Sequence, residues 1–444
     1  MKDNTMISKS EQSVKIIPRL AEIVRSLESG TTPDWLKALR TQGISRFTQL
    51  GIPTVKDEEW KYTNLAGLAG LKFDVATDSH VIELDALKAY RGTDGISLVF
   101  INGSYSPELS NTSRLPGGLT ITTLQDAIAA DEQNIKKLMT KYSVRDEAVF
   151  VALNEAISGT GAYIKAREKT VFAGLIHILH VTSSRNKNIM TMPRTLIDLG
   201  PSSELTVLES HVAFNDDVTY FANALTDIFL AENATLHYCK AQKESLQAYH
   251  IGHTRVWQER NANLQGFSLT VGGKLTRNDL DCVLSGEGGN ATINSLYSVH
   301  DNQHVDNHTS VDHRVPNCTS NQLYKGILNH AARAVFNGKI FVRPPAQQTN
   351  SYQLNKNLLL GEDCRVDTKP QLEIFADDVK CTHGATIGQL DQNELFYLQT
   401  RCIPRKTATK MLVHGFADDI LSTIANEAIR RTCHDLLQPS LEVL

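Results

Sequence analysis

The 444-residue chain lacks the features that mark several broad classes of protein. It contains no apolar run approaching the roughly 20 residues that span a membrane, and its net charge of −4 predicts no basic surface for nucleic acid. The N-terminal MKDNTMISKSEQ has no apolar core of a secretory signal and is too acidic for a typical transit peptide. We therefore expect a cytoplasmic protein that binds neither nucleic acid nor membrane, with a core built from its 41% apolar residues.

Cysteine is sparse and irregularly spaced. No CxxC occurs among the seven cysteines, which are Cys239, Cys282, Cys318, Cys364, Cys381, Cys402 and Cys433. An odd number without that spacing argues against a disulfide framework and against a self-contained zinc or iron–sulfur site. We expect most of these thiols to be reduced, and several to be buried as small apolar side chains.

Two common catalytic motifs are also missing. The segment VGGKLT resembles a phosphate-binding loop, but Ser268 stands where a Walker A motif needs glycine, and Leu275 stands where it needs serine or threonine. No GxSxG elbow is present for a nucleophilic serine. We therefore expect no nucleotide bound by this chain itself and no nucleophilic serine for acyl transfer.

A sequence motif recurs in the middle of the chain, where short strand patterns replace helical ones. An apolar residue, a polar turn and a new strand follow one another, starting at Leu199, Leu230, Val256, Leu284, Leu328 and Leu360. The loose period near 30 residues predicts a parallel β-helix. A β-sandwich is the alternative, since its strands also recur but without a fixed sequence motif. The longest interval contains HDNQHVDNHTSVDHRVPNCTSNQLYKG, which we expect to form an inserted or irregular coil.

Helical patterns lie on either side of this region. We expect an N-terminal helical and mixed region over 1–165, the β-helix core over 166–390, and a C-terminal helical domain over 391–444. The sequence predicts Thr32 as an N-cap with Pro33 at the first helical position, and a capping box from Asp391 to Glu394.

The C-terminal helices have two open interpretations. Pro404 is a plausible first helical position, and an apolar stripe follows it, formed by Met411, Leu412, Phe416, Ile420, Leu421 and Ile424. The stripe either covers the open end of the solenoid or binds a partner in an apolar groove.

A cysteine and a histidine stand two residues apart where the strand region ends. Cys381 and His383 lie in DDVKCTHGATIGQL, and residues i and i+2 of a strand project from the same face. A thiolate and an imidazole are suitable ligands for a borderline or soft metal ion. Two ligands do not complete a site, so the remaining ones must come from elsewhere in the chain or from a partner.

Four other histidines form a weaker candidate: His300, His304, His308 and His313. Their segment is rich in Asn, Asp, Val and Thr, which argues against a helix that would align them. A strand would place the first three on one face and His313 on the other. We expect polar packing here rather than an independent metal site.

Long segments of the chain resemble the SufB/SufD family of iron–sulfur cluster assembly proteins. The resemblance is carried by DDVKCTHGATIGQLDQNELFYLQTR, IPRKTATKMLVHGFADDIL, VDHRVPNCTSNQLYKGIL, FNGKIFVRPPAQQTNSYQLNKNLLL, KDEEWKYTNL and FINGSYSPEL, and it covers essentially the whole chain. The segment KCTHGATIG is similar to the SufD branch, since the SufB branch has a carboxylate-bearing sequence there. Cys402 stands where the family usually has glycine, at a helix end that favours the left-handed conformation.

The resemblance implies a fold and a set of partners. The fold would be mainly β, with a right-handed parallel β-helix core between N- and C-terminal helical domains. The chain would be a non-catalytic scaffold subunit of a SufBCD complex, pairing with SufB through the cores and binding the ABC-type ATPase SufC through its C-terminal domain. A chain free of SufB could form a homodimer. Involvement of a flavin stays open.

The resemblance also implies a site. Cys381 and His383 would lie at the interface with SufB and contribute to a transient iron–sulfur cluster, with His383 the stronger ligand candidate. The region of Phe416, Ile420 and Leu421 would dock or position the ATPase.

Two alternative functions remain open. One is a SufB-like principal scaffold that holds a cluster by itself. The other is a β-helix carbohydrate-active enzyme, which needs paired carboxylates near aromatic side chains. Weak candidates are Asp216, Asp217, Asp279 and Asp281, and we expect Trp35, Trp60 and Trp257 to lie away from them.

Overall fold

A parallel β-helix forms the centre of the molecule. The computed structural model describes residues 20–25, 27–28, 32–76, 87, 90, 95–113, 115–141, 148–183 and 188–442. Among these residues, the strands form one sheet of 11 and one of 10. From Arg194 onwards the chain alternates between the two sheets, and each strand pairs in parallel with the strand two positions away. This confirms a mainly β, parallel β-helix fold rather than a sandwich.

The first sheet contains β1 Asp74–Val75, β4 Leu119–Thr123, β5 Gly161–Ala166, β7 Ile189–Thr191, β8 Arg194–Leu199, β10 Tyr220–Leu230, β12 Tyr249–Gln258, β14 Leu275–Leu284, β16 His304–His313, β18 Arg333–Val342 and β20 Arg365–Ile374. The second contains β2 Ile96–Ile101, β3 Ser104–Tyr105, β6 Val171–Thr182, β9 Glu204–Ala213, β11 Thr235–Glu244, β13 Asn263–Gly272, β15 Asn290–Val299, β17 Thr319–Leu328, β19 Thr349–Leu359 and β21 Val379–Gly388. The helices bounded within the described residues include Asp34–Leu50, Ala66–Ala69, Leu124–Ala130, Glu132–Lys141, Val149–Ala156, Gln392–Thr400, Arg405–Leu421 and Glu427–Glu442, with 3-10 turns at Glu58–Trp60 and Pro107–Leu109.

The period predicted from the sequence reflects a regular coil. Strands of the second sheet begin at Glu204, Thr235, Asn263, Asn290, Thr319, Thr349 and Val379, so successive starts are 27 to 31 residues apart. The predicted irregular coil is wrong, because β16 and β17 are regular 10-residue strands. The interval between the motifs at Leu284 and Leu328 is long because the corner between these strands, near Cys318, lacks the recurring sequence motif.

A residue in the left-handed conformation marks each of these corners, and it is most often asparagine. Each corner from the first sheet to the second, from β8–β9 to β18–β19, has a residue with positive φ: Ser202, Asn233, Asn261, Gly288, Asn317 and Gln348. Asn tolerates this left-handed conformation better than most residues. The corners also stack through the backbone, as when the Asn233 N–H donates to the Arg260 carbonyl at 2.8 Å. Local turn chemistry therefore sets the position at which each coil bends.

The interior of the coils is apolar at one end of each strand. Leu205, Leu236, Leu264 and Ala291 are in register on successive strands of the second sheet, and all four are at most 1% exposed. Stacking of like residues in adjacent coils continues this core along the β-helix.

A buried ion triad lies on the other face of the first sheet. Asp227 Oδ2 accepts hydrogen bonds from Arg194 Nε at 3.1 Å and Nη2 at 2.7 Å, and its Oδ1 accepts one from Arg255 Nε at 2.6 Å. None of the three is more than 3% exposed. Arg194 also donates to the hydroxyl of Ser158 at 3.2 Å, which connects the sheet to the segment after helix Val149–Ala156.

An N-terminal strap, residues 54–65, crosses the outer face of the first sheet. Trp60 is buried there, and the guanidinium of Arg277 stacks 3.7 Å from its ring centre. Glu59 forms an ion pair with Lys339, and the Thr63 hydroxyl donates to Asp306 at 2.6 Å. These contacts join residues more than 200 positions apart and fix the N-terminal region to the β-helix.

The C-terminal helices pack on the outer face of the second sheet rather than over the end of the β-helix. Val413 and Ile420 of helix Arg405–Leu421, and Cys433 of helix Glu427–Glu442, are buried against residues such as Cys239 and Phe267. The Sγ atoms of Cys239 and Cys433 are 3.7 Å apart, both as free thiols. The interpretation of these helices as an end cap is therefore wrong, because their apolar stripe covers a sheet face.

The predicted helix starts are displaced by one residue, while a predicted cap is correct. Pro33 and Pro404 precede helices that begin at Asp34 and Arg405. Asp391 is an N-cap, and its carboxylate accepts a hydrogen bond from the Asn393 backbone N–H at 2.7 Å. No helix in the described parts of the chain is long and apolar enough to cross a membrane.

We expect Cys402→Gly to raise the free energy of unfolding by about 0.5–1 kcal/mol. Cys402 follows the end of helix Gln392–Thr400 with a φ of 63°, where a Cβ atom is unfavourable and glycine is not. The midpoint of urea unfolding measures the gain. Cys402→Ala keeps the Cβ atom and is the control, so an equal gain from alanine would contradict this explanation.

Candidate functional site

Cys381 and His383 lie on the last strand of the β-helix. Both belong to β21, and their in-register partners on β19 are Ser351 and Gln353. The strand predicted for them is confirmed, and their spacing of two residues places both on one face of it.

The two side chains differ in their surroundings. Cys381 is half-buried against an apolar cluster that includes Ile340 and Ala376, whereas His383 is exposed. Burial raises the pKa of the Cys381 thiol, so that it is less readily available as a thiolate ligand. His383 can offer its imidazole without rearrangement of the chain. Among the described residues, no set of three or more potential metal ligands includes either residue.

A polar column lies beneath this pair, inside the coils. The Ser351 and Ser320 hydroxyls are 2.7 Å apart, and Nε2 of His313 is 2.9 Å from the Ser320 hydroxyl. Beside them the amide groups of Gln353 and Gln322 are fully buried without a hydrogen-bond partner in the part of the chain that is described. Sequence reasoning missed this column, because isolated Ser and Gln residues in polar strands resemble surface positions.

The end of the β-helix near His383 is open. In the described chain, β20 and β21 pair on one side only, with β18 and β19. Large apolar side chains on and near this end are exposed, namely Tyr352, Ile374, Phe375, Ile387, Phe396 and Tyr397. An unpaired strand edge with exposed apolar residues is a typical surface for pairing with another chain.

The three residues predicted to dock an ATPase have different positions. Ile420 and Leu421 are buried against the second sheet, and Phe416 is partly buried. Lys325 holds this helix in place, because its Nζ donates to the Asp419 carboxylate at 2.5 Å and to the Phe416 carbonyl at 2.9 Å. Ile420 and Leu421 therefore position the helix, while its exposed Met411 is free to contact another molecule.

The four histidines of the HDNQH segment have separate partners. His300 contacts Asp301 at 2.9 Å, His304 contacts Thr63 at 3.0 Å, His308 contacts Asp306 at 3.0 Å, and His313 contacts Ser320 at 2.9 Å. His313 points inward, opposite to His304 and His308, as the strand alternation predicted. His300 instead lies near His330, which the sequence analysis did not connect with it.

A pocket of about 420 Å³ lies between the strap and the first sheet, and it corrects one expectation. Trp60 lines it together with Asp279 and Asp281, so the expectation that the tryptophans lie away from these carboxylates is wrong for Trp60. Arg277 binds Asp279 with Nε and Nη2 at 2.9–3.3 Å, and His253 lies 2.7 Å from Asp281. Both carboxylates are thus engaged, which does not favour paired acid–base chemistry on a sugar.

Comparison with known proteins gives matches along nearly the whole chain. Residues 180–416 match the family model "SUF system FeS cluster assembly, SufBD core domain", and residues 20–176 match "SufBD protein N-terminal region". The chain is 32% identical over 409 residues to an iron–sulfur cluster assembly SufBD family protein of Synechocystis sp., covering 90% of each chain. It is 33% identical over 393 residues to the iron–sulfur cluster assembly protein SufD of Escherichia coli, covering 88% of this chain and 89% of the relative.

A more distant relative is the protein ABCI7, chloroplastic, of Arabidopsis thaliana, with 28% identity over 443 residues. That alignment covers 96% of this chain and 92% of the plant protein. The matches to both family models confirm the resemblance noted in the sequence. The chain belongs to the SufB/SufD family of iron–sulfur cluster assembly proteins.

Proposed function

We propose that this SufD-like protein is a non-catalytic scaffold subunit that builds an iron–sulfur cluster together with a SufB-like partner. The cluster is cargo, assembled at the junction and passed on. The observation that carries the proposal is the position of His383, exposed on the unpaired edge strand at the open end of the β-helix. A ligand placed there is incomplete alone and accessible to a second chain.

The open end supplies the reason for a protein partner. The free N–H and C=O groups of β20 and β21 can continue their ladders into a homologous β-helix. Exposed Phe375 and Ile387 would be buried by the same contact. A SufB-like chain is the proposed partner, and a second copy of this chain could occupy the same edge when the partner is absent.

His383 and Cys381 have distinct roles in this proposal. The imidazole of His383 serves as the cluster ligand from this side, since it is exposed and of suitable donor type. Cys381 supports it and binds only if its thiol loses a proton, which its half-buried position opposes. The remaining ligands come from the SufB-like chain.

The C-terminal domain, residues 391–444, is the proposed binding region for a SufC-like ATPase in the cytoplasm. Phe396, Tyr397 and Met411 are exposed there and can contact it, while Ile420 and Leu421 fix the helix to the β-helix. ATP binding by two such subunits would draw them together and move the helical domains, which would rearrange the two half-sites.

We expect His383→Ala to reduce cluster formation by at least about tenfold, because the site loses a ligand that the partner cannot replace. The tagged chain is co-expressed with a SufB-like and a SufC-like protein, and the purified complex is analysed for bound iron and sulfide and for its absorption spectrum. Thr382→Ala is the matched control, because Thr382 is exposed on the same strand but projects from the opposite face.

The chains that co-purify in the same preparations distinguish a defect in complex assembly from the loss of a cluster ligand. Both variants should retain the SufB-like and SufC-like chains. Normal cluster formation by the fully assembled His383→Ala complex would overturn the ligand role. Recovery of the unchanged chain without either partner would overturn the scaffold role.

A further inference from the structure

Three potential metal ligands meet inside the β-helix, several coils away from His383. His180 lies on β6, and Glu209 and His211 lie on β9. His180 and His211 are in register, and Glu209 precedes His211 by two residues, so that all three project from the same face. Their exposures are only 7%, 1% and 3%.

Glu209 is close enough to each imidazole to share one ion with it. Glu209 Oε1 is 3.5 Å from Nε2 of His180 and 3.8 Å from Nε2 of His211. Two donors that are each about 2.1 Å from one ion can be at most about 4.2 Å apart. The two imidazole rings stack with centres 4.8 Å apart, and all three ligand atoms lie within 4.8 Å of one another.

Three of the four imidazole nitrogens are buried without a hydrogen bond among the described residues, although Glu209 Oε1 lies 3.5 Å from His180 Nε2. They are both nitrogens of His180 and Nε2 of His211. A buried polar atom left in this state costs about 1–3 kcal/mol.

Glu209 is held in place by hydroxyl groups. Thr195 donates to its Oε1 at 2.8 Å, while Thr226 and Tyr238 donate to Oε2 at 2.9 and 2.6 Å. Donors to a carboxylate orient it for metal binding, as outer-shell residues do in known sites. Oε1 accepts only one of these three bonds, and it is the oxygen that faces both imidazoles.

The nearest buried cation does not replace a metal ion. Lys240 is in register with Glu209 on the next coil, but its Nζ donates to Asn278 Oδ1 at 3.0 Å and lies 3.3 Å from His250 Nε2. Burial lowers the pKa of Lys240 below its ordinary value. Burial likewise raises the pKa of nearby Glu244 to about 8, so that this carboxyl group is largely neutral at pH 7.

A small cavity adjoins the imidazoles. It has a volume of about 10 Å³ and is lined by His180, His211 and Glu244, among others. That volume accommodates about one water-sized sphere. The cavity therefore has room for about one water molecule beside the cluster.

We propose that His180, Glu209 and His211 bind one divalent first-row transition-metal ion inside the β-helix. Two imidazoles and one carboxylate are a donor set that suits Zn²⁺, Fe²⁺ or Co²⁺. The bound ion would satisfy the two unpartnered Nε2 atoms and join β6 to β9. This site is separate from the proposed cluster site at His383.

The test uses the full-length chain with competing sites removed. The background carries Cys381→Ser, His383→Ala and His330→Ala, because His300, Asp301 and His330 form a second, exposed group of potential ligands. The metal-free protein is titrated with Co²⁺ and with Zn²⁺. We expect one ion per chain, a visible Co²⁺ spectrum, and X-ray absorption showing two imidazoles at about 2.0–2.1 Å from zinc. The melting temperature should rise on metal addition.

His180→Gln and His211→Gln are each expected to weaken binding by more than about a hundredfold, beyond the loss typical of an outer-shell change. His237→Gln is the matched control, since His237 makes a comparable contact with Glu204, at 3.6 Å, near the surface of the same sheet. Circular dichroism of the metal-free variants establishes that they fold. Absence of a bound ion in the background protein would overturn the proposal, and so would unchanged binding by folded His180→Gln and His211→Gln.

Discussion

Replacing Asp227 by alanine is expected to lower the free energy of unfolding by about 3–5 kcal/mol, because it removes the carboxylate from two buried guanidinium groups. Arg194 and Arg255 both donate to Asp227, and all three side chains are at most 3% exposed. The midpoint of urea unfolding, at an unchanged slope, measures the loss. Asp367→Ala removes a carboxylate from a surface pair with Arg365, and there we expect less than about 1 kcal/mol. Equal losses in the two variants would contradict the importance of burial.

The same triad predicts a dependence on pH. Burial by itself would raise the pKa of Asp227, but the charges and hydrogen bonds of Arg255 and Arg194 together lower it below the ordinary value of 3.8. The stabilisation is therefore fully present above about pH 4 and is lost as the pH falls through the folded-state pKa. Asp227→Asn cannot titrate, so its stability should fall less than that of the unchanged chain over this acidic range.

Trp60→Ala is expected to cost about 3–5 kcal/mol, the usual range for truncating a large buried aromatic residue. Trp60 packs against Phe150 at a ring distance of 5.4 Å and under the guanidinium of Arg277 at 3.7 Å. Its loss leaves a cavity between the strap and the first sheet. Limited proteolysis should then cut within residues 54–65 before the β-helix is attacked.

Tyr62→Ala provides the comparison within the same strap. Tyr62 is 38% exposed, so we expect a stability change within about 0.5 kcal/mol and no new cleavage site. Early cleavage of the strap in both variants, or in neither, would show that Trp60 does not hold it to the sheet.

The β-helix was predictable because its coils repeat a local rule. In each repeat, an apolar residue at the end of a strand is followed by a corner residue that tolerates positive φ, as at Asn233 and Asn261. The corner near Cys318 also has a residue with positive φ, Asn317, but it lacks the recurring sequence motif. The motif therefore did not reveal this corner. The face covered by the C-terminal stripe was not predictable, because an apolar stripe specifies burial but not the surface that buries it.

Part of the candidate site was visible in the sequence and part was not. The shared strand of Cys381 and His383 follows from a spacing of two residues, which needs no tertiary information. The pairing of His180 with His211 depends on the register between β6 and β9, which shifts between Val171 and Leu175. Such an offset is fixed by packing inside the coils, so the sequence alone gave no signal for this cluster. Trp60 was expected far from Asp279 because the path of the strap over the outer face of the first sheet depends on tertiary contacts between residues distant in the sequence.

The number of stacked coils sets the length of the β-helix. Each coil contacts chiefly its two neighbours, and one strand spacing is about 4.8 Å. From β9 to β21 there are six such steps, or about 29 Å between the His211 coil and the His383 coil. Gain or loss of one coil of roughly 30 residues at a corner would lengthen or shorten this span by a single step while each terminal surface kept its own chemistry. Relatives can therefore differ in length by whole coils without a change in the surface at the open end of the β-helix.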